Sequence, residues 1–191
     1  KAWVAEFGEK SQPFRCDTGA FLSKAQDEGK HILFEAQLGS LRDLDYGIYP
    51  YTTSSNPIAA YAPVGSGPPT AKLDKTIGVA KAYSSCVGEG PFTCEWFGEE
   101  AEKLREAGGE YGAKTGRPRR VGPIDIVATR YGIQCQGATD IALTKLDVLS
   151  YMDEIPICAR YELHGQETDA FPFPAVLPAA RPVMTAMPGW K

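Results

Sequence analysis

The chain has 191 residues, 43% hydrophobic and 23% charged, with a formal net charge of −4. That length supports a real core, and the acidic balance argues against a general affinity for nucleic acid or anionic membrane. No apolar run approaches a membrane span, and no secretory leader pattern is present. The start at Lys1-Ala2-Trp3 lacks an initiating Met and suggests a piece of something longer.

In chain order, residues 1–15 are weakly patterned and read as a connecting segment. Residues 18–28 have helical composition, with Gly29 as a stop signal. Together residues 1–30 make a lead-in segment and helix, followed by one domain over residues 31–191. His31-Ile32-Leu33-Phe34-Glu35 is a short apolar run after a turn and predicts a buried strand. Residues 47–69 are rich in Gly, Pro, Ser, Thr and Tyr, too long for a mere connector and therefore a candidate functional loop. Residues 73–82 are β-compatible around Ile77 and Val79. Residues 99–107 form a charged amphipathic helix ended by Gly108-Gly109, and residues 125–131 a second one after Pro123. Strands follow over residues 140–144 and 155–162, the latter with Ile157 and Ala159 on one face and Cys158, Arg160 and Glu162 on the other. The tail from residue 170 to 190 is Pro-rich and reads as irregular. Strands alternating with helices predict an α/β fold with a largely parallel central sheet flanked by helices and long functional loops.

The five cysteines, Cys16, Cys86, Cys94, Cys135 and Cys158, are odd in number and scattered. They read as reduced thiols of a cytoplasmic protein, neither a disulfide frame nor a zinc site. His31 and His164 have no metal-ligand spacing and read as ordinary solvated or capping histidines.

Chemistry concentrates in four segments. Lys145-Leu146-Asp147 follows the apolar run Ile141-Ala142-Leu143. A carboxylate there can accept two hydrogen bonds from a guanine ring N–H and its exocyclic amine, while the Lys stem lies over the base plane. Adenine offers no such pair, so the wrong base leaves a charge unpaired. A solvated strand end has the same composition. The loop over residues 35–47 follows the predicted strand, where open parallel sheets bind ligands. Thr52-Thr53-Ser54-Ser55 can surround a phosphate with neutral donors, or satisfy its own backbone as a turn. Residues 112–120 put Arg117, Arg119 and Arg120 around Pro118, a density of guanidinium suited to carboxylate or phosphate; a solvated basic turn is the alternative.

Six segments in order resemble the adenylosuccinate synthetases: the Phe34-Glu35 loop; residues 47–56; Lys81-Ala82-Tyr83-Ser84 with residues 87–92; Thr115-Gly116-Arg117-Pro118-Arg119-Arg120; residues 144–149; and Met187-Pro188-Gly189-Trp190. The resemblance covers residues 31–190 and implies a P-loop-NTPase-like fold. It also implies a homodimeric ligase that joins inosine monophosphate (IMP) to L-aspartate with GTP and Mg²⁺. Carried over residue by residue, Gln37 or Leu38, Thr53, Val87, Gly88 and Arg117 would contact IMP. Ala113, Lys114, Thr115, Gly116, Arg117, Pro118 and Arg119 would form the aspartate loop. Arg119, Lys145, Leu146 and Asp147 would face GTP.

Two positions depart from the family pattern. Strict length alignment puts Leu38 where the family has a Gln, with Gln37 one residue earlier, and Gln37 is expected to serve through a shifted loop. Lys114 stands where the family has Thr. The resemblance also implies a phosphate loop with a catalytic Asp, a general-acid His, a partner-subunit Arg and a guanine-closing segment, none of which this sequence contains. The chain alone is therefore expected to hold no catalytic residue, to bind no cofactor tightly and to be inactive. Two other readings stay open: a ligase for another purine nucleotide, as in 2-aminoadenylosuccinate synthesis, and a guanine-nucleotide-binding module without catalysis.

Overall fold

The computed structural model describes residues 1–190. Two compact units divide the chain. The first comprises Lys1–Ala36 and Ala60–Asp74 and carries helices α1 (Ala2–Ser11), α2 (Thr18–Asp27) and α3 (Tyr61–Ser66). The α2 helix starts where expected because the Asp17 carboxylate accepts the Ala20 N–H at 3.0 Å, and Gly29 takes a positive φ just past its end.

The second unit comprises Gln37–Ala59 and the chain from Lys75 onward, and it holds all the described strands. One sheet is the parallel pair β1 (Ile77–Lys81) and β4 (Asp140–Thr144), with Val79 opposite Ala142. The other comprises β2 (Tyr83–Cys86), β3 (Arg120–Asp125), β5 (Glu154–Leu163), β6 (Gln166–Thr168) and β7 (Arg181–Pro188). There β3 and β5 run parallel, while β2–β3, β5–β6 and β5–β7 run antiparallel. The α/β class thus stands, but the sheets are mixed where a largely parallel one was expected.

Helix α4 (Gly98–Gly108) carries Glu99 and Glu100 in its first turn and Arg105 in its last, charges that suit the helix dipole, and Gly109 closes it in a left-handed conformation. Helix α5 (Ile126–Gln136) is capped by Asp125, whose carboxylate accepts the Ala128 N–H at 2.9 Å. It runs five residues past the expected end at Tyr131, because its first natural stop is the left-handed Gly137. One core cluster packs Ala101 and Leu104 of α4 against Tyr83, Val121, Leu149 and Ile155. A second gathers Ile48, Cys94, Val127, Cys158, Tyr161 and Leu177.

Three further expectations are corrected. Residues 31–35 form no strand, and Leu33 is 93% exposed. A short apolar run becomes a strand only when a neighbour takes its backbone groups, and no described strand does. The tail is not wholly irregular: β7 pairs along most of β5, and its prolines are tolerated on a strand with one open edge. On β5 the buried residues are Ile155, Cys158 and Tyr161, and a register irregularity between Cys158 and Arg160 breaks the simple alternation between the last two.

Candidate functional site

Strand β2 is the spine of the site. Tyr83 at one end meets the expected guanine and aspartate segments, and Cys86 at the other meets the expected IMP segments. Three residue steps separate them, about 10 Å of extended chain.

At the Tyr83 end the organising group is Glu110, only 2% exposed. Its Oε1 accepts Lys81 Nζ and the Tyr83 hydroxyl, each at 2.6 Å, and its Oε2 accepts Arg119 Nη1 at 3.0 Å. Burial alone would push this carboxyl up, but the bonds from Lys81, Tyr83 and Arg119 outweigh it and hold the group below its ordinary range. Burial and the Glu110 carboxylate together push the Tyr83 hydroxyl well above its usual value, so it stays a donor. Gly108 is required here, since a Cβ on it would lie 2.5 Å from the Tyr83 oxygen.

The loop of residues 111–118 stands on this base. Arg119 N–H donates to Glu110 O at 2.9 Å and Gly112 N–H to Arg117 O at 2.8 Å, with Tyr111 and Pro118 bridged antiparallel. Gly116 N–H closes onto Gly112 O at 2.8 Å, and Thr115 Oγ1 accepts the Arg117 N–H at 3.3 Å. The loop is a hairpin with its own internal bonds. Lys114 and Arg117 project from it exposed, and neither side chain has an ion-pair partner among the described residues.

The Lys145-Leu146-Asp147 segment leaves β4 through a sharp bend, with Lys145 at φ 61°. A lysine in this left-handed region marks a backbone shaped by its surroundings. The bend sends Lys145 Nζ to Gly108 O at 3.3 Å, and Trp190 Nε1 donates to Leu146 O at 3.2 Å. Asp147 opens a short 3-10 turn, exposed, with no hydrogen bond or ion pair on its side chain among the described residues. The Lys145 bond to Gly108 O, two residues before Glu110, and the Ala82 N–H bond to Thr144 O at 2.9 Å bring this segment into one neighbourhood with Tyr83 and the hairpin base.

At the Cys86 end, Thr53 and Val87 are gathered by a residue that sequence reading missed, and Gly88 gives its carbonyl to Arg120 Nη1 at 3.2 Å. Arg42 donates to backbone oxygens of Tyr51, Val87 and Glu89, and Thr53 N–H donates to Arg42 O at 2.8 Å. Gln37 and Leu38 precede Arg42 on the same unit, both exposed, with Leu38 at φ 68°. No sequence signal separated Arg42 from any other loop arginine, because its role lies in carbonyls 9 to 47 residues away.

Among the described residues no cluster of carboxylates converges to hold a magnesium ion. Among the described residues the one convergent group of three metal-capable side chains is Cys94, Asp125 and Cys158, all buried, with ligand atoms within 4.8 Å of one another. Two thiols are the wrong donors for a hard cation. Asp125 is also already occupied by the Tyr161 hydroxyl and the α5 cap.

The arrangement defines a mixed α/β domain in which a carboxylate without a partner among the described residues sits on a segment tied by Lys145 to the base of a guanidinium hairpin, chemistry suited to polar and anionic ligands. Comparison with known proteins gives the particular family. The adenylosuccinate synthetase family model matches residues 2–191. The adenylosuccinate synthetase of Bifidobacterium adolescentis is 49% identical over 188 residues, covering 98% of this chain and 44% of that protein. That of Streptococcus gordonii is 44% identical, covering 97% and 44%. A fully ligated adenylosuccinate synthetase structure from Plasmodium falciparum superposes with a TM-score of 0.92 at 32% identity, covering 99% of this chain and 46% of that one. The chain belongs to the adenylosuccinate synthetase family and spans less than half the length of these relatives.

Proposed function

We propose that this chain is the guanine- and aspartate-recognising part of a GTP-dependent ligase. The reaction joins IMP and L-aspartate to give adenylosuccinate, GDP and phosphate. The γ-phosphoryl group of GTP passes to the purine O6, and the aspartate amine then displaces it as phosphate. Mg²⁺ would be held outside the residues described here, so no step is assigned to it in this chain.

The observation that carries this reading is the Asp147 carboxylate, without a partner among the described residues, on a segment that Lys145 ties to the Gly108 carbonyl two residues before Glu110. Asp147 reads the guanine N–H and amine, with the Lys145 stem and Leu146 against the base. Arg117 and Lys114 reach the aspartate carboxylates from the exposed hairpin formed by Ala113, Thr115, Gly116 and Pro118. Arg119 faces GTP, and its Nε is buried without a partner, a donor that a ligand acceptor would complete. Thr53 takes the IMP phosphate, Val87 and Gly88 the ribose, and Gln37 or Leu38 the purine. Closure of the hairpin keeps water from the phosphorylated purine. Free thiols at all five cysteines suit a reducing cytoplasm, and no described helix is long and apolar enough to cross a membrane. A homodimer belongs to the same reading and is checked by sedimentation.

The test measures adenylosuccinate formation by the full-length protein from GTP, IMP and aspartate, with ATP replacing GTP as control. Product with GTP and not with ATP, with the KM for GTP raised about 10- to 150-fold in Asp147→Asn, supports the reading. Equal use of both nucleotides, or no product from the wild type, overturns it.

A further inference from the structure

We propose that Arg42 and Arg120 are positioning residues that clamp the loop of residues 86–90 from two sides and so set the IMP-binding surface. This rests on the placement of Val87 and Gly88 proposed above.

The two arginines divide four successive carbonyls between them. Arg42 Nη2 donates to Val87 O at 2.9 Å and Nη1 to Glu89 O at 2.8 Å. Arg120 Nη1 donates to Gly88 O at 3.2 Å and Gly90 O at 2.8 Å. Odd and even carbonyls thus turn to opposite guanidiniums. Each arginine is itself tied down. Arg42 also donates to Tyr51 O at 2.7 Å and contacts Cys86 Sγ at 2.6 Å. Arg120 is forked onto Glu95 at 2.8 and 2.5 Å and lies over the Phe92 ring.

The loop needs such a clamp because little else holds it. Val87 is 65% exposed, Gly88 and Gly90 have positive φ, and the carbonyls of 87–90 face no strand. A planar fork spans two or three carbonyls at fixed spacing, whereas an ammonium is a point charge that cannot. Because Arg42 also bonds Tyr51 O and accepts the Thr53 N–H on its own carbonyl, it fixes the proposed phosphate and ribose contacts relative to each other. Gly90 leaves no room for adjustment there, since a Cβ would lie 2.8 Å from the Tyr51 ring.

The experiment compares Arg42→Lys and Arg42→Met with wild type in the full-length protein, reading each substrate's KM, kcat, melting temperature and backbone exchange at residues 87–90. The expected result in Arg42→Met is a KM for IMP raised at least about tenfold. The KM values for aspartate and GTP, and kcat at saturating IMP, stay within about twofold, and exchange at 87–90 accelerates. Arg42→Lys recovers part of the IMP effect at an unchanged melting temperature. An unchanged KM for IMP, a parallel rise for all three substrates, or unchanged exchange at 87–90 overturns the inference. A wild type that makes no adenylosuccinate points instead at the proposed function, and exchange at 87–90 still reports on the clamp.

Discussion

Replacing Glu110 by Gln keeps the shape and removes one buried charge from a node that also holds two cations and a phenol. Breaking a fully buried ion pair by removing one partner costs about 3–5 kcal/mol. Here Lys81 and Arg119 remain 31% and 33% exposed, so water reaches the orphaned cations and lowers the cost. Gln can still accept the Tyr83 hydroxyl. The expected loss is about 2–3 kcal/mol, or about 5–10 °C of melting temperature for a chain of this size.

The pH dependence carries the sharper test. The folded carboxyl of Glu110 lies below its ordinary value of 4.5, so its contribution is fully present above that value. It is lost as pH falls through the lower folded value. The stability gap between wild type and Glu110→Gln, read by thermal or urea unfolding, should be constant from about pH 6 to about pH 8 and shrink only in acid. A gap under about 1 °C at neutral pH, or one that widens toward acid, would refute the assignment of Glu110 as an ionised anchor.

Asp147→Asn should weaken GTP binding by about 10- to 150-fold by titration while leaving the melting temperature unchanged, since this side chain supports no described contact. Inosine triphosphate, which lacks the exocyclic amine, should bind wild type more weakly than GTP and the variant about equally. Gly108→Ala should cost about 1–3 kcal/mol in urea unfolding, because its Cβ would meet the Tyr83 oxygen. The neighbouring Cys158 thiol, then burial, pushes the Cys94 thiol far up, so at pH 8 alkylating reagent should label exposed Cys16 and spare Cys94 until the protein unfolds.

What the sequence revealed and what it hid divide along one physical line. Helix α4 was legible because its charges, its amphipathic period and its closing glycines all lie within a dozen residues. Strand β4 was read to the residue, although its neighbour β1 lies more than fifty residues away, because its apolar run is bounded by polar ends. The residues 31–35 have the same local look and fail as a strand for want of a ladder partner, which no local pattern reports. Strand β3 was missed for the converse reason: Gly122 and Pro123 argue against a strand, yet the ladder to β2 and β5 holds it. Gly122 is needed there, since a Cβ would lie 2.2 Å from Cys94 O.

The site follows the same division. Lys145, Asp147, Arg117 and Arg119 stood out as candidates in the sequence because side-chain chemistry alone proposes a ligand for them. Glu110 and Arg42 did not, because their partners are protein groups brought together by the fold. Glu110 reads locally as one more acid after an acidic helix; only the meeting of β1, β2 and the hairpin base brings its carboxylate to Lys81, Tyr83 and Arg119 together. Residues whose own chemistry proposes a ligand are thus visible in composition, whereas those that hold the loops carrying them are visible only in the folded structure. It follows that substitutions at Glu110 and Arg42 should separate stability from substrate affinity: Glu110 is buried and ties elements of the core, whereas Arg42 is half-exposed and ties loops. A large melting shift at Arg42 with none at Glu110 would invert that division and the physical account behind it.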